Sequence, residues 1–502
     1  MNSSIFLGID LGTSVLKVCA FDARTGQMLG HASRRILVRE VAGGGREQSV
    51  AEIDRRFASA LEELKTKLGA RWRSVAGIGI AAQGGSSIIA DRSSGRALTP
   101  MILWNDGRTY RYLARLGEQQ SASFFQKRLL NEMIPAGLGR LVWLREQCPE
   151  LFKDTNIHIG AGEYLFYRLT GVWRQDAGNA IQIGSYNVVK AQLDAKLFKT
   201  SGLPVSFVAP LRKGHETAEL SRGGAKLLGL SKGIPVVGPY IDQEAGYMSA
   251  LGASAHPLHC SLGTAWVGNF SVPENTASWA PLQLLLPSPV GAGRLIVMPL
   301  FAGNRAWDWA LEQCVAEDLE HALKEVDGIF KKSLVPSEGL FCLPWFTLPN
   351  PVDVTCHGAG CFIGVHSGTQ KSDLVRAVAA GLCFEFARIF EHVKTTFMVD
   401  ALVLCGGASN GWYFRSMLAA LFSPLPVLWQ RESDFSAARG AVHPLMMHAP
   451  GLKTERVKLP RKSDCSVIEQ GFARYCAAIK NVFPVPPGGA ALVVFPRREN
   501  AL

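Results

Sequence analysis

Two glycine–threonine turns in distant parts of the chain have the residue types that hold phosphate groups. The first lies within the turn LGTS at 11–14, which follows IFLGID at 5–10, and the second lies within LGTA at 262–265, which follows LHCS at 258–261. Because glycine has no side chain, the backbone of such a turn can approach a phosphate closely, and the threonine adds a hydroxyl donor. A single turn of this kind is more often an ordinary hairpin, but two turns, each after a strand, favour a phosphate site.

Two carboxylates lie where they can serve phosphoryl transfer. Asp10 is next to the first turn, and carboxylate oxygens are ligands that suit Mg²⁺. Asp242 follows the apolar run at 234–241 and begins a segment of small residues typical of a helix, so it can simply be a helix cap. At the edge of a cleft, Asp242 can instead accept the proton of an attacking hydroxyl. Phosphoryl transfer needs phosphate-binding loops, a Mg²⁺ ligand and such a base, and each has a candidate here.

The elements that must position these residues alternate between strand and helix in the first half of the chain. Apolar spacing and turn residues predict a hairpin of strands at 5–10 and 15–21, and a helix at 53–68. Further strands are expected at 75–80 and 87–90. This alternation favours a layered α/β fold.

The second half repeats the pattern. Its sequence predicts a strand, a glycine–threonine turn and a strand over 258–270, and later a helix at 372–394. A buried strand at 401–405 leads through Gly406 and Gly407 into a helix at 412–422, which places backbone N–H groups ready for a nucleotide. The repeat predicts two similar domains that face one another across a cleft.

Composition restricts the class of protein. With 502 residues, 47% of them hydrophobic and 19% charged, the chain is expected to form two or three globular domains. The formal charge of +11 comes from dispersed basic residues without interleaved aromatic residues, so no nucleic-acid partner is expected. Eleven cysteines without CxxC pairs indicate neither a zinc site nor a disulfide framework.

The sequence also predicts a cytoplasmic location. Residues 1–10 contain no basic leader and no small-residue cleavage site, so we expect no export signal. No uninterrupted apolar run reaches the roughly 18 residues that indicate a membrane span, so we expect no membrane partner. Scattered cysteines fit a reducing compartment.

Taken in order, the motifs of the chain resemble those of the FGGY family of carbohydrate kinases, within the actin, hexokinase and heat-shock ATPase superfamily. The resemblance extends to about residue 480, and its motifs are GIDLGTS at 8–14, EQ at 47–48, GIAAQ at 79–83, WNDGR at 104–108, RLVWL at 140–144, LTG at 169–171 with Asp176, DQ at 242–243, LGT at 262–264, GCFIGV at 360–365, CGGASN at 405–410 and RGA at 439–441. Each motif is weak alone, but their order and spacing together are specific.

The resemblance implies an α/β fold of two ribonuclease H-like domains, of the actin/hexokinase ATPase type, facing an interdomain cleft. We predict an N-terminal sugar-binding domain at 1–245, a C-terminal nucleotide-binding domain at 246–480 and a tail at 481–502. The implied activity is phosphorylation of a small-molecule sugar or polyol, with ATP and Mg²⁺. A homodimer is the default expectation for the oligomeric state.

The resemblance and the motifs together give a set of predicted site residues. Asp242 is the predicted catalytic base, and Asp10 is the predicted Mg²⁺ ligand. The residues predicted to bind ATP and its phosphates are Gly12, Thr13, Ser14, Lys17, Gly263, Thr264, Gly406, Gly407, Ala408 and Asn410. The residues predicted to bind the acceptor are Gln83, Gly84, Trp104, Asp242 and Gln243, although Trp104 can equally be a packing residue.

The sequence leaves the identity of the acceptor open. Residues 83–87, QGGSS, have neither the Met-His pair of typical xylulokinases nor the Arg-Glu pair of glycerol kinases. Family frequency favours a ketopentose such as xylulose or ribulose, with erythritol, glycerol and gluconate as alternatives. A non-catalytic sugar sensor, or a filament or chaperone ATPase, is a further alternative; the presence of Asp10, Asp242 and both turns favours a kinase.

Overall fold

The computed structural model describes residues 4–276, 283–300, 302–346, 360–430, 432–446 and 454–482 of the chain. The predicted tail at 481–502 lies outside these residues, except for its first two positions. Among the described residues, no helix is both long enough and apolar enough to cross a membrane.

The first half of the chain contains thirteen strands and nine α-helices among the described residues. The strands are β1 (Ile5–Leu11), β2 (Val15–Asp22), β3 (Met28–Arg35), β4 (Arg39–Val41), β5 (Gly45–Gln48), β6 (Val75–Ala82), β7 (Ile88–Asp91), β8 (Met101–Ile102), β9 (Asn156–Ile159), β10 (Tyr186–Asn187), β11 (Gln192–Leu193), β12 (Ala218–Glu219) and β13 (Pro235–Ile241). The helices are α1 (Val50–Leu68), α2 (Tyr110–Gln119), α3 (Ala122–Leu129), α4 (Ala136–Gln147), α5 (Ala161–Thr170), α6 (Ala177–Ile183), α7 (Ala195–Phe198), α8 (Arg222–Leu228) and α9 (Asp242–Ala250).

The second half contains nine strands and six α-helices within the same described part of the chain. The strands are β14 (Pro257–Leu262), β15 (Trp266–Val272), β16 (Leu284–Pro287), β17 (Arg294–Pro299), β18 (Phe341–Leu343), β19 (Cys361–Ile363), β20 (Ala401–Cys405), β21 (Val427–Trp429) and β22 (Glu455–Arg456). The helices are α10 (Asn304–Cys314), α11 (Leu319–Phe330), α12 (Lys371–Thr396), α13 (Trp412–Phe422), α14 (Ser436–Ala441) and α15 (Lys462–Val482).

Each half is built around a sheet with the same central arrangement. The first sheet has the order β12-β13-β6-β1-β2-β3, and the second has the order β16-β17-β15-β14-β20-β21-β22. In both sheets, three antiparallel strands are extended by two parallel strands, β6 with β13 in the first and β20 with β21 in the second. This duplication confirms the predicted pair of α/β domains of the actin/hexokinase type.

Local sequence signals explain where α1 begins and ends. The side chain of Ser49 accepts a hydrogen bond from the backbone N–H of Glu52 at 3.3 Å and so caps the helix. The helix therefore begins at Val50, three residues before its predicted start at residue 53. Gly69 ends the helix with a φ of 55°, a conformation that glycine adopts without strain. Between these ends, Ile53, Phe57 and Leu64 form a buried stripe against the first sheet.

Helices α9 and α14 cross where the two halves meet. A Cβ at Gly440 of α14 would lie 1.6 Å from the carbonyl oxygen of Ala245 in α9, so only glycine allows this crossing. A Cβ at Gly8 of β1 would lie 2.1 Å from the carbonyl oxygen of Ala438, so α14 also packs directly on the first sheet. Helix α14 of the second half is therefore packed against both α9 and the first sheet.

Candidate active site

The carboxyl ends of three parallel strands bring the first group of polar residues together. Leu11 of β1 and Ile241 of β13 both pair with Ala82 of β6, so the last residues of the three strands lie in one row. Gln83 and Asp242 directly follow this row, and Asp10 directly precedes it. Crevices at the carboxyl ends of parallel strands are where ligands bind in open α/β sheets.

Asp10 is a buried carboxylate with one free oxygen. Its Oδ2 lies 3.6 Å from Lys17 Nζ, whereas its buried Oδ1 has no hydrogen-bond partner. Burial raises the pKa of the Asp10 carboxyl, and the charge of Lys17 opposes that shift. Lys17 Nζ also donates to the carbonyl oxygen of Asp434 at 2.6 Å, which links this site to the second half.

Asp242 is the first residue of α9 and is half-buried. Its Oδ1 accepts a hydrogen bond from the backbone N–H of Gln243 at 2.9 Å. Burial and, next, the negative charge of Asp10 raise the pKa of the Asp242 carboxyl to about 7. A carboxyl with a pKa near neutrality can both accept and release a proton at physiological pH.

Thr13 is held by a network of polar side chains. Its hydroxyl donates to Gln83 Oε1 at 3.0 Å and accepts from Trp104 Nε1 at 3.2 Å. Gln83 Nε2 donates to Gln48 Oε1 at 3.0 Å and also lies 3.4 Å from Met101 Sδ. Gln83 is therefore buried with both ends of its amide engaged by protein atoms, while Trp104 keeps 37% of its surface exposed.

Arg140 holds the turn after β6 and the segment that carries Trp104. This buried guanidinium donates to the carbonyl oxygen of Gly85, to Ser87 Oγ at 3.1 Å and to the carbonyl oxygen of Trp104 at 3.0 Å. Beside the turn, the Gln182 amide lies 2.1 Å from where a Cβ of Gly84 would be. Glycine at 84 thus makes room for Gln182, and Arg140 holds the residue 85–87 turn and the Trp104 backbone in place.

The second glycine–threonine turn meets the Gly406 turn at the edge of the second sheet. Ser261 of β14 pairs with Cys405 of β20, so Gly263 and Gly406 follow neighbouring strand ends. Gly406 has a φ of 85°, and a Cβ there would lie 2.9 Å from the carbonyl group of Leu262. Glycine is required at position 406 for both reasons.

Two further backbone segments complete this edge. Asn304, at the start of α10, donates its backbone N–H to the carbonyl oxygen of Gly263 at 3.1 Å and its side-chain amide to that of Leu262 at 3.4 Å. Residues 407–410 form one turn of 3-10 helix, in which Ala408 is buried while Gly407 and Asn410 are exposed. Thr264 is also exposed, so backbone and hydroxyl donors line the edge.

Comparison with known proteins assigns the family. The model of the FGGY family of carbohydrate kinases, N-terminal domain, matches residues 5–249, and that of its C-terminal domain matches residues 260–449. The chain belongs to the FGGY family of carbohydrate kinases. This FGGY kinase is therefore a phosphotransferase of a family that uses ATP, as the motifs predicted.

Individual relatives of this FGGY kinase are distant but match along most of the chain. The xylulose kinase of Bacillus subtilis is 22% identical over 440 residues, which is 87% of this chain and 86% of that protein. The glycerol kinase of Acaryochloris marina is 25% identical over 419 residues, 78% of this chain and 79% of that protein. The crystal structure of xylulose kinase from Rhodospirillum rubrum superposes with a TM-score of 0.80 at 22% identity, covering 96% of this chain and 99% of that one.

The structure brings the predicted residues to two sheet edges. At the edge of the first sheet lie Asp10, Gly12, Thr13, Ser14, Lys17, Gln83, Gly84, Trp104, Asp242 and Gln243. At the edge of the second lie Gly263, Thr264, Gly406, Gly407, Ala408 and Asn410. Their individual roles stay predictions, as do the domain boundary after residue 245, which falls within α9, the homodimer and the cytoplasmic location.

Several residues that shape the site of this FGGY kinase were not among the site residues predicted from its sequence. Arg140 was noted only as part of a motif, although an arginine within an apolar helical segment is itself a signal of a buried polar contact. Gln48 belongs to the motif at 47–48 but was given no role, and Asn304 gave no local signal, because the contacts of both are with segments far away in the chain. Asn269 and His259 lie in strands β15 and β14, where their sequence positions indicate only ordinary sheet residues.

Proposed function

We propose that this FGGY kinase transfers the γ-phosphate of ATP to a hydroxyl group of a ketopentose such as xylulose or ribulose. The observation that supports the transfer is the position of Asp242, half-buried beside Asp10 at the shared end of three strands. The names of its relatives support a sugar or polyol acceptor, and xylulose kinases are prominent among them. Erythritol, glycerol and gluconate are the alternative acceptors, and a glycerol kinase also matches.

In the proposed mechanism, Asp242 accepts the proton of the attacking hydroxyl. Its raised pKa makes the carboxylate a stronger base than an exposed aspartate while leaving it largely ionised at a pH above about 7. The acceptor lies between Asp242 and Trp104, and Gln243 contacts a second oxygen of the acceptor. Gln83, whose amide is already engaged, positions Thr13 from behind.

The γ-phosphate is proposed to lie between the two glycine–threonine turns. Backbone N–H groups of both turns and the hydroxyl of the exposed Thr264 would hold its oxygens, and Lys17 would add positive charge. The adenosine would lie along residues 406–410, where the turn exposes Gly407 and Asn410. Closure of the two halves would exclude water and so limit hydrolysis of ATP.

The Asp10 carboxyl fits a Mg²⁺ ion that is held mainly by phosphate and water. Its buried Oδ1 has no partner, as a metal or metal-bound water would require. Among the described residues, no group of three or more His, Cys, Asp and Glu side chains could hold a metal by itself. This agrees with the preference of Mg²⁺ for few carboxylates together with substrate phosphates, and the ion would offset phosphate charge.

A screen of acceptors tests the proposal. The protein is mixed with ATP and Mg²⁺, and ADP release is measured with D-xylulose, D-ribulose, erythritol, glycerol and D-gluconate in turn. We expect release to depend on the acceptor and to be fastest with one of the ketopentoses. Release that is the same with and without every acceptor would refute a kinase for this class of compounds.

The pH dependence of the reaction tests the role of Asp242. Because the base acts in its ionised form, kcat/KM for the acceptor should fall about tenfold per pH unit below a midpoint that burial raises above the ordinary aspartate value. The midpoint reaches about 7 where Mg²⁺ does not offset the charge of Asp10. Initial rates from pH 5.5 to 9 give this profile. A profile that stays flat down to pH 5.5 would mean that Asp242 has an ordinary pKa or is not the base.

The variant Lys17→Met provides a second arm of this measurement. The positive charge of Lys17 lowers the pKa of the Asp242 carboxyl, so its removal, with Mg²⁺ keeping Asp10 ionised, should shift the midpoint to higher pH. The rate itself is also expected to fall, because Lys17 is proposed to face phosphate, and only the midpoint is therefore compared. A midpoint that moves to lower pH would contradict the assignment of the titrating group.

A further inference from the structure

A row of hydrogen bonds, buried except at Gln243, runs from the acceptor side of the site to the start of the nucleotide turn. Asn269 Nδ2 lies 2.9 Å from Gln243 Oε1 and 2.8 Å from His259 Nδ1. The other ring nitrogen, His259 Nε2, lies 2.9 Å from Cys405 Sγ, and Cys405 directly precedes Gly406. Asn269 and His259 are 0% and 2% exposed and pair directly across β15 and β14.

The atoms that form these hydrogen bonds determine which groups donate and which accept. The two N–H bonds of Asn269 Nδ2 point to Gln243 Oε1 and to His259 Nδ1, so His259 Nδ1 is an acceptor. His259 is then the neutral tautomer with its proton on Nε2, which donates to Cys405 Sγ. Burial lowers the pKa of the His259 imidazole to about 3, which agrees with a neutral ring.

The opposite direction of these hydrogen bonds, with the Asn269 amide turned over, would leave more buried polar groups without partners. As the residues lie, the only group of Asn269 without a partner is its carbonyl Oδ1. If the Asn269 amide were turned over, its NH2 group would take that buried place, and two N–H donors would be left without acceptors. Buried orphan N–H groups are rarer and more costly than an underused carbonyl.

We propose that Asn269, held by His259, is a positioning residue that fixes the Gln243 amide with its NH2 group toward the acceptor. Because Gln243 Oε1 is turned toward Asn269, the two N–H bonds of Gln243 are the groups that the amide presents to the substrate. The site then selects an acceptor oxygen that can receive a hydrogen bond, such as a hydroxyl, keto or carboxylate oxygen. This inference rests on the proposed function for the claim that Gln243 faces the acceptor.

The residues that orient the Gln243 amide belong to the second half of the molecule. Gln243 is part of α9, which follows the first sheet, whereas Asn269 and His259 belong to strands of the second sheet. A Cβ at Gly246 of α9 would lie 2.5 Å from His259 Cε1, so the ring is packed directly against the helix. Residues of the second half thus determine that the Gln243 amide presents its NH2 group, and not its oxygen, to the acceptor.

A double-mutant cycle tests whether Asn269 acts through Gln243. We expect Asn269→Leu to raise the acceptor KM roughly 5- to 10-fold, the value of one lost hydrogen bond, with the KM for ATP changed less than about twofold. In a Gln243→Ala background, the same change at 269 should alter the acceptor KM less than about twofold. An equal effect of Asn269→Leu in both backgrounds would overturn the proposal, because Asn269 would then act on the fold alone.

The variant Val272→Ala is the matched control for destabilisation of β15. Val272 is buried in the same strand, and its truncation should lower the unfolding temperature without changing the acceptor KM. The KM values are measured by ADP release with D-xylulose, glycerol and D-gluconate. A rise in the acceptor KM of Val272→Ala equal to that of Asn269→Leu would also overturn the proposal.

A measurement on the wild-type protein without any acceptor separates this inference from the proposed function. The ¹⁵N resonances of the His259 ring, assigned by their loss in His259→Gln, should show a protonated Nε2 and an unprotonated Nδ1 from pH 6 to 9. The opposite tautomer would overturn the proposal, because it reverses the Asn269 and Gln243 amides. If the predicted tautomer is found but none of the acceptors is phosphorylated, the proposed function fails while the direction of these hydrogen bonds stands.

Discussion

Replacement of Asp242 by asparagine is expected to lower kcat about 10²- to 10⁴-fold, the usual cost of removing a general base. The asparagine keeps the size of the side chain and an oxygen that can accept the hydrogen bond from the backbone N–H of Gln243. It cannot take up the proton of an attacking hydroxyl. The loss is measured as the rate of acceptor-dependent ADP release at saturating ATP.

The control for this variant is its folding and its affinity for ATP. The pKa of the Asp242 carboxyl is raised to about 7 in the folded protein, so its ionisation disfavours folding as the pH rises from about 4 through 7. Asp242→Asn lacks that ionisation, and above pH 7 its unfolding temperature should be no lower than that of the wild type. ATP affinity should change less than about twofold. A variant with near wild-type kcat would exclude Asp242 as the base.

Replacement of Gly440 by alanine is expected to lower kcat about 10²-fold, although Gly440 lies in a helix interface and is not a predicted site residue. The new Cβ would lie 1.6 Å from the carbonyl oxygen of Ala245, whereas an ordinary carbon–oxygen contact is about 3.3 Å or more. Helices α9 and α14 must therefore separate by more than about 1 Å. A displacement of that size at reacting groups typically costs about 10²-fold in rate, and α9 carries Asp242.

Gly328→Ala is the matched control for this change. Gly328 lies within α11, and apart from its chain neighbours and the backbone of its own helix, no described atom lies within 4 Å of the position of its Cβ. The alanine there should leave kcat unchanged and stabilise the helix by roughly 0.5–1 kcal/mol. Steady-state kinetics and thermal unfolding of both variants provide the comparison. Equal activity of Gly440→Ala and the wild type would show that the crossing of α9 and α14 does not position the base.

The elements of the fold were largely predictable because their signals are local. The strand at 401–405 and the helix at 412–422 are found with the predicted bounds, since a run of buried residues and flanking glycines define each. Helix α12 was predicted at 372–394 and spans Lys371–Thr396, a difference at its ends only. The first helix begins earlier than predicted, because the Ser49 cap outweighs the apolar spacing that suggested residue 53.

The contacts that shape the site could not be read from the sequence in the same way. Thr13 and Gln83 are 70 residues apart along the chain, so their hydrogen bond depends on the pairing of β1 with β6. The contact between Gln243 and Asn269 likewise depends on how α9 packs against the second sheet. Residue types indicated the chemistry, whereas only the tertiary structure shows which polar atoms remain free to meet a ligand.

In the proposed reaction, a hydroxyl of a bound acceptor, activated by Asp242, receives the γ-phosphate held between the two halves. The most direct test is ³¹P NMR of the reaction of the protein with ATP, Mg²⁺ and the acceptor that gives the fastest ADP release. We expect a phosphomonoester of the acceptor in an amount equal to that of ADP, and we expect Asp242→Asn to form it at least about 10²-fold more slowly. ADP accompanied only by inorganic phosphate, or a phosphomonoester formed equally fast by Asp242→Asn, would contradict the proposed reaction.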